Sequence, residues 1–375
     1  MFFPASWDLS APGLAFAGAL IPRPGEPTPL GSVPRMAAGK KVIILSIEER
    51  DAAPSPQEAT MKLFFLILAA LPLASQVPSA KTWHAPRTPD GKPDLQGVWT
   101  SATLTPLERP SDLANKPSFA GKEEAEQWTK QFLQTNNRDR RDGSAQEDVS
   151  RAYNEFWFSR GDTVVPTLRT SLIVDPPDGR IPALTPDGQK RAAARAEAQR
   201  LHPADGPEDR PLTDRCILWP VAGPPMIPGG YNNNYQIVQG PGYVTIVVEM
   251  IHDVRVIPTD GRPHLPPTIR QWMGDSRGHW EGDTLVVDTT NFTNKTTFRG
   301  SGENLHLVER FTRTAPGQLM YEFTVNDPES FTKPWTVQIP MAKGDGPLVE
   351  YACHEGNYAM EGILRGARLQ EREKK

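Results

Sequence analysis

The run from Trp272 to Phe292 (Trp-Met-Gly-Asp-Ser-Arg-Gly-His-Trp-Glu-Gly-Asp-Thr-Leu-Val-Val-Asp-Thr-Thr-Asn-Phe) constrains the fold more than any other stretch. Gly282-Asp283 separates His279-Trp280-Glu281 from Thr284-Leu285-Val286-Val287. Glycine supplies the positive φ of a tight turn, and the flanks are aromatic and β-branched, so two antiparallel strands are expected around it. The same ribbon gathers Asp275, Ser276, His279, Trp280, Glu281 and Asp283.

The pattern continues on both sides. Strands are expected over 235–239, 243–250, 254–258, 278–281, 284–290, 304–314, 318–325, 335–341 and 348–353, with turns at Gly240-Pro-Gly242, Pro316-Gly317 and Gly344-Asp-Gly346. Short strands that follow one another closely imply a mainly β chain, an antiparallel meander closing into a barrel; a β-sandwich is the alternative. The barrel is preferred because consecutive hairpins need no long crossovers and closure removes exposed edges. The N-terminal segment 81–160 opens with a stretch, 81–118, punctuated by Pro86, Pro89, Pro93, Pro106, Pro110 and Pro117, which excludes a continuous helix or a central strand there. Within it, 95–100 is a short strand candidate and 119–137 has helical spacing. Residues 170–184 read as a hairpin around Pro176-Pro-Asp-Gly179. Thr185-Pro186 reads as N-cap and first residue of a surface helix ending near Leu201. Two short peripheral helices are therefore expected, with the barrel domain over 161–375.

Met61-Lys62, an apolar core over 63–73 and a small-residue exit over 74–80 describe a secretory signal peptide. The apolar run is too short for a bilayer, which takes roughly 20 residues, so the mature chain has no integral membrane segment. Residues 1–60, rich in Pro, Gly and Ala without a period, read as a disordered product of an upstream start; a long export leader is the alternative. The exported protein is thus expected to be periplasmic or secreted. Residues 1–80 carry six Lys+Arg and six Asp+Glu, so the net charge of −4 is the same with or without them. A mildly acidic chain without basic blocks excludes nucleic acid as a partner. Cys216 and Cys353 both fall in the exported part, where an oxidising compartment favours one disulfide; two buried thiols are the alternative.

Several phrases are similar to those of a known family. Thr259-Asp-Gly-Arg-Pro-His264, Trp272-Met-Gly-Asp-Ser276, Gly278-His-Trp-Glu-Gly-Asp-Thr-Leu-Val-Val-Asp288, His306-Leu-Val-Glu-Arg310 and Thr332-Lys-Pro-Trp335 resemble a large family of exported bacterial proteins, common in soil bacteria and notably acidobacteria. Arg169-Thr-Ser-Leu-Ile-Val-Asp175 and Arg215-Cys216 are similar too. The resemblance spans 81–360 and implies one mature protein of a single family; it carries no catalytic role onto these residues. Gly97-Val98-Trp99 also resembles the Gly-x-Trp that opens lipocalin barrels, giving the barrel a lipocalin- or calycin-like expectation.

Alternation places Leu305, Leu307, Glu309 and Phe311 on one face of a strand and His306, Val308, Arg310 and Thr312 on the other. An acid on the apolar face is either paired with an arginine such as Arg255 or Arg262, or held neutral for acid–base work. His264 with Asp275 beside Trp272 is a pair suited to proton transfer, and strands could bring His264, His306 and Glu309 together. Ser276 lacks a Gly-x-Ser-x-Gly elbow. The seven histidines show no metal-ligand spacing, and no glycine-rich phosphate loop is present, so neither metal nor cofactor is expected. Two functions fit. The first is binding of a small, partly apolar molecule at one end of the barrel, where loop 259–276 meets hairpin 279–284, through Arg262, Trp272, Trp280, His306 and Arg310. The second is a cofactor-independent lyase, isomerase or hydrolase with His264, Asp275 and Glu309 as catalytic residues. Oligomeric state is not legible.

Overall fold

The computed structural model describes residues 83–151, 154–219 and 221–373. Met61 as a start, the leader 1–60 and the signal peptide 61–80 lie outside the described residues, as does Tyr153.

Ten strands form one sheet: β1 (Gly97–Thr100), β2 (Ile173–Asp175), β3 (Asn234–Gly240), β4 (Tyr243–Val248), β5 (Val254–Pro258), β6 (Asp275–Glu281), β7 (Thr284–Thr290), β8 (His306–Ala315), β9 (Gln318–Asn326) and β10 (Trp335–Lys343). Nine of them run in the order β5-β4-β3-β1-β10-β9-β8-β7-β6, and β2 adds a short pairing to β10. All pairings are antiparallel. The meander β3–β10 is therefore nearly closed into a barrel, with β1 as the stave between β10 and β3. The proline-rich segment 81–160 thus supplies a strand to the sheet that the chain after 161 mostly builds, and the exclusion of a central strand there is corrected: the proline-free 97–100 pairs on both sides.

The β6–β7 hairpin turns as its residues demand: Glu281 pairs with Thr284, and Gly282 takes a φ of +59°. Strict alternation then separates two faces. Leu307, Glu309 and Phe311 of β8, Leu319, Tyr321, Phe323 and Val325 of β9, and Trp335, Val337, Ile339 and Met341 of β10 are buried. Rings dominate this interior: Phe311 lies 4.9 Å from Tyr321, and Trp335 stacks on Phe298 at 5.7 Å between centroids. Trp99, fully buried on β1, donates its indole N–H to the Leu95 carbonyl. Burying such rings supplies most of the core's hydrophobic stabilisation.

The count of staves has a geometric consequence. Eight successive antiparallel steps lead from β5 to β6, so these two strands run in the same direction. A hairpin cannot join parallel neighbours; the chain has to return the length of the strand first, which takes about a dozen residues or more. Residues 259–274 are that return. The β5–β6 seam carries no backbone ladder, and side chains span it instead: Arg255 Nη2 donates to Ser276 Oγ at 3.2 Å. Gly278 allows the close approach, since a Cβ there would stand 3.0 Å from methyl groups of both Ile257 and Thr259.

The helices are peripheral: α1 (Lys122–Thr135), α2 (Ala145–Ser150), α3 (Pro186–Leu201) and α4 (Tyr358–Glu373). Four α-helices among the described residues replace the two expected. In α3, Thr185 caps the Gly188 N–H at 3.0 Å with Pro186 as first helical residue. Two strand expectations are corrected. Residues 170–184 make no hairpin, because the two halves do not pair with each other: Ile173–Asp175 pairs with β10, and Leu184 bridges to Phe331. Residues 348–353 are not a strand; Cys353 within them is bonded to Cys216, with Cα atoms 5.7 Å apart. Among the described residues, no helix is long and apolar enough to cross a membrane.

Candidate functional site

Two linked polar networks meet at the seam. On β5 the usual pattern is inverted: Val254 and Val256 are exposed while Arg255 is 2% exposed along its side chain. The cause stands opposite. Glu309, 0% exposed on the inward face of β8, receives two bonds from Arg255, at 3.0 Å from Nη1 and 2.6 Å from Nη2. Tyr321 donates its hydroxyl to the same carboxylate at 2.7 Å and accepts the Met226 N–H at 3.0 Å. Ser276 continues the chain to Thr289 at 3.0 Å. A buried charge pair is tolerated only when its lone pairs are this well satisfied. Burial works against the Arg255 charge, but the attraction of Glu309 outweighs it and raises the guanidinium's pKa. Burial, reinforced by the Glu309 charge, pushes the Tyr321 phenol well above its ordinary value.

A second polar chain lies on the outer face, where β6, β7 and β8 present Asp275, Asp288 and His306. His264, carried there by the return segment, bonds Asp275 Oδ2 through Nδ1 at 2.8 Å and Asp288 Oδ1 through Nε2 at 2.9 Å. The other Asp288 oxygen meets His306 Nε2 at 2.6 Å, and Arg277 lies 2.7 Å from the other Asp275 oxygen. Both bonds of His264 form only when a proton sits between each ring nitrogen and its carboxylate oxygen. The Leu265 N–H also donates to Asp275, and Arg277 Nε donates to the Pro263 carbonyl, so this cluster fastens the return segment to the sheet. The Asp288 bond raises the His306 pKa against partial burial. Burial acts to raise the Asp288 carboxyl, but the bonds from His306 and His264 outweigh it and hold the carboxyl below its usual value. Among the described residues, no group of three or more His, Cys, Asp or Glu is arranged to hold a metal ion.

Between these two chains lies a cleft of about 450 Å³ along the open seam. Val254, Arg255, Val256 and Pro258 line it from β5, residues 270–277 from the other side, and Ile217 and Asp253 close it. Residues 270–274 are anchored by the Gln271 N–H on the Asn291 carbonyl and by Arg270 on the Phe292 and Glu303 carbonyls.

The chain matches no family model, no curated protein and no solved structure.

Of the residues singled out in the sequence, Asp275, Ser276, Trp272 and Arg255 line the cleft and His264 bonds Asp275. The others are placed elsewhere. Glu309 does not join His264 or His306: alternation turns it inward to Arg255 while His306 points out, so the expected convergence of the three is corrected. Arg262 is exposed and spent on its own turn, holding the Asp260 carboxyl down to about 2 through a hydrogen bond. Arg310 pairs with Glu281 at 2.8 Å on the outer face, and Trp280 packs partly buried against the core. The hairpin tip 279–284 is not part of the cleft lining. Sequence reasoning missed Asp288 and Asp253. Asp288 was within reach, since alternation along β7 sets it on the face that His306 shares.

Proposed function

We propose that this is an exported protein, a member of the bacterial family its motifs resemble, that holds a small, partly apolar organic molecule in the seam cleft. One observation carries the reading. The barrel's closing pair leaves an open seam, and there a cleft of about 450 Å³ joins Trp272, Met273, Ile217, Val254 and Val256 to a few charged groups. That size and mixture suit a small-molecule site, for which roughly 300–1,000 Å³ is usual. The barrel is lipocalin-like in its meander but not in its use of the lumen, which aromatic side chains occupy. The Cys216–Cys353 link supports export, because such bonds persist in oxidising compartments. Native mass spectrometry of protein recovered from its own periplasm or medium tests the reading. A bound mass that Trp272→Ala releases is the expected result; a protein that carries and takes up nothing at this cleft contradicts it.

The bonded pair His264–Asp275, with Asp275 in the cleft lining, favours a second reading: proton transfer on the bound molecule. The variant His264→Gln separates the two. Binding alone loses about 1 kcal/mol for one hydrogen bond, whereas catalysis through His264 loses roughly 10²–10⁴-fold in turnover with binding retained.

A further inference from the structure

The cleft is lined by three arginines and two aspartates, and two further acids behind the lining, Glu309 and Glu303, complete the arginines' pairs. Three arginines contribute, and each has its own acid: Arg255 pairs with Glu309 at 2.6 Å, Arg277 with Asp275 at 2.7 Å, and Arg270 with Glu303 at 3.6 Å. Asp253 alone is left over. It lines the cleft, makes no ion pair among the described residues, and its Oδ2 is buried without a hydrogen-bond partner. Among the described residues, it is the one carboxylate oxygen in that condition; the other unpartnered buried side-chain atoms are arginine Nε and one indole N–H. A buried acceptor without a partner is costly and rare enough to need a reason. The backbone presents Asp253 deliberately: Ile251 and His252, just before it, hold φ of +61° and +48°, a conformation that side chains, and β-branched ones above all, seldom adopt. Burial lifts the Asp253 carboxyl above its usual range, with nearby His252 pulling the other way, which is the mark of an acid whose counter-charge is missing. Trp272 and Met273 line the same cleft, and an aromatic ring and a carboxylate in one site are the groups that recognise organic ammonium ions.

We infer that the cleft takes an organic cation, an ammonium group on an apolar body, with Asp253 as its counter-ion and Trp272 as its aromatic wall. This rests on the cleft being the binding site and adds the charge of what it binds. The Cys216–Cys353-bonded chain is titrated calorimetrically at pH 7 with three probes of one length: n-hexylammonium, hexan-1-ol and hexanoate. The ammonium binds best of the three. Asp253→Asn weakens it about 10–100-fold, as loss of a charged hydrogen bond does, and Trp272→Ala weakens it by a few-fold to about tenfold. The comparison of probes on the unaltered chain stands even where a variant fails to fold. Hexanol or hexanoate binding as well as the ammonium, with Trp272→Ala weakening it, overturns the inference while the cleft survives as the site. Ammonium binding indifferent to Asp253→Asn also overturns it. No binding of any probe overturns both the inference and the cleft.

Discussion

Glu309 illustrates how one buried acid organises its surroundings. Its carboxylate satisfies Arg255 and Tyr321 together, and among the described residues Arg255 makes no other ion pair. Removing one member leaves the other charged and unpaired, so Glu309→Gln is expected to cost about 3–5 kcal/mol in urea unfolding. The double variant Arg255→Met/Glu309→Leu should recover most of that, because no charge then remains buried. A Glu309→Gln protein as stable as the parent contradicts the pairing. Alternation in the sequence puts Glu309 on an apolar face and leaves two fates open for it, a pair or a raised acid. Arg255 decides between them, and it decides from another strand. At the outer cluster, the sign follows from the partners. His306 has its pKa raised above 6.5 by Asp288, so its contribution to stability is full below about pH 6.5 and fades as pH climbs through the folded value. Asp288 is held below 3.8, so its contribution is full above that value and fades on acidification. The pair therefore stabilises most between about pH 4 and 6.5. Asp288→Asn should return the His306 titration, followed by NMR, toward 6.5; an unmoved titration contradicts the bond.

Elements were legible where local chemistry sufficed and illegible where closure decided. Turn glycines and β-branched flanks announce β6 and β7, and Thr185-Pro186 announces α3. Loop 259–276 reads, from sequence alone, as functional, yet the length of the return, 259–274 in the structure, has a topological cause: an odd ring of antiparallel strands must include one parallel pair. Only the count of strands reveals that, and residues 348–353 spoil the count by reading as a strand while a disulfide, not a ladder, holds them. Helix α4 was legible but not read: Met360, Ile363, Leu364 and Ala367 recur at helical spacing, although the helix buries none of them fully. The seam makes a prediction of its own. Gly278→Leu fills the space shared with Ile257 and Thr259, so it should destabilise by about 1–3 kcal/mol. It should also speed amide exchange in β5 and β6 ahead of β8–β10. Uniform exchange across all strands contradicts an independent seam.

At the scale of the molecule, the Cys216–Cys353 bond spans a sequence separation of 137 residues and ties 351–353 to the segment that leads to Ile217 at the cleft. Closing so long a loop in the unfolded chain is worth about 5 kcal/mol in the chain-entropy model. Reduction should lower the unfolding midpoint accordingly; an unchanged midpoint contradicts a stabilising link. Barrel, disulfide and seam together make one claim, that closure of this fold leaves a built cleft between parallel strands and that the molecule works there. Amide chemical-shift mapping of the isotope-labelled, oxidised chain during titration with n-hexylammonium tests it most directly. Shifts concentrated at 253–258 and 270–277, with β9 and β10 unmoved, are the expected result. Shifts gathered at the 279–284 hairpin tip, or none at all, would contradict it.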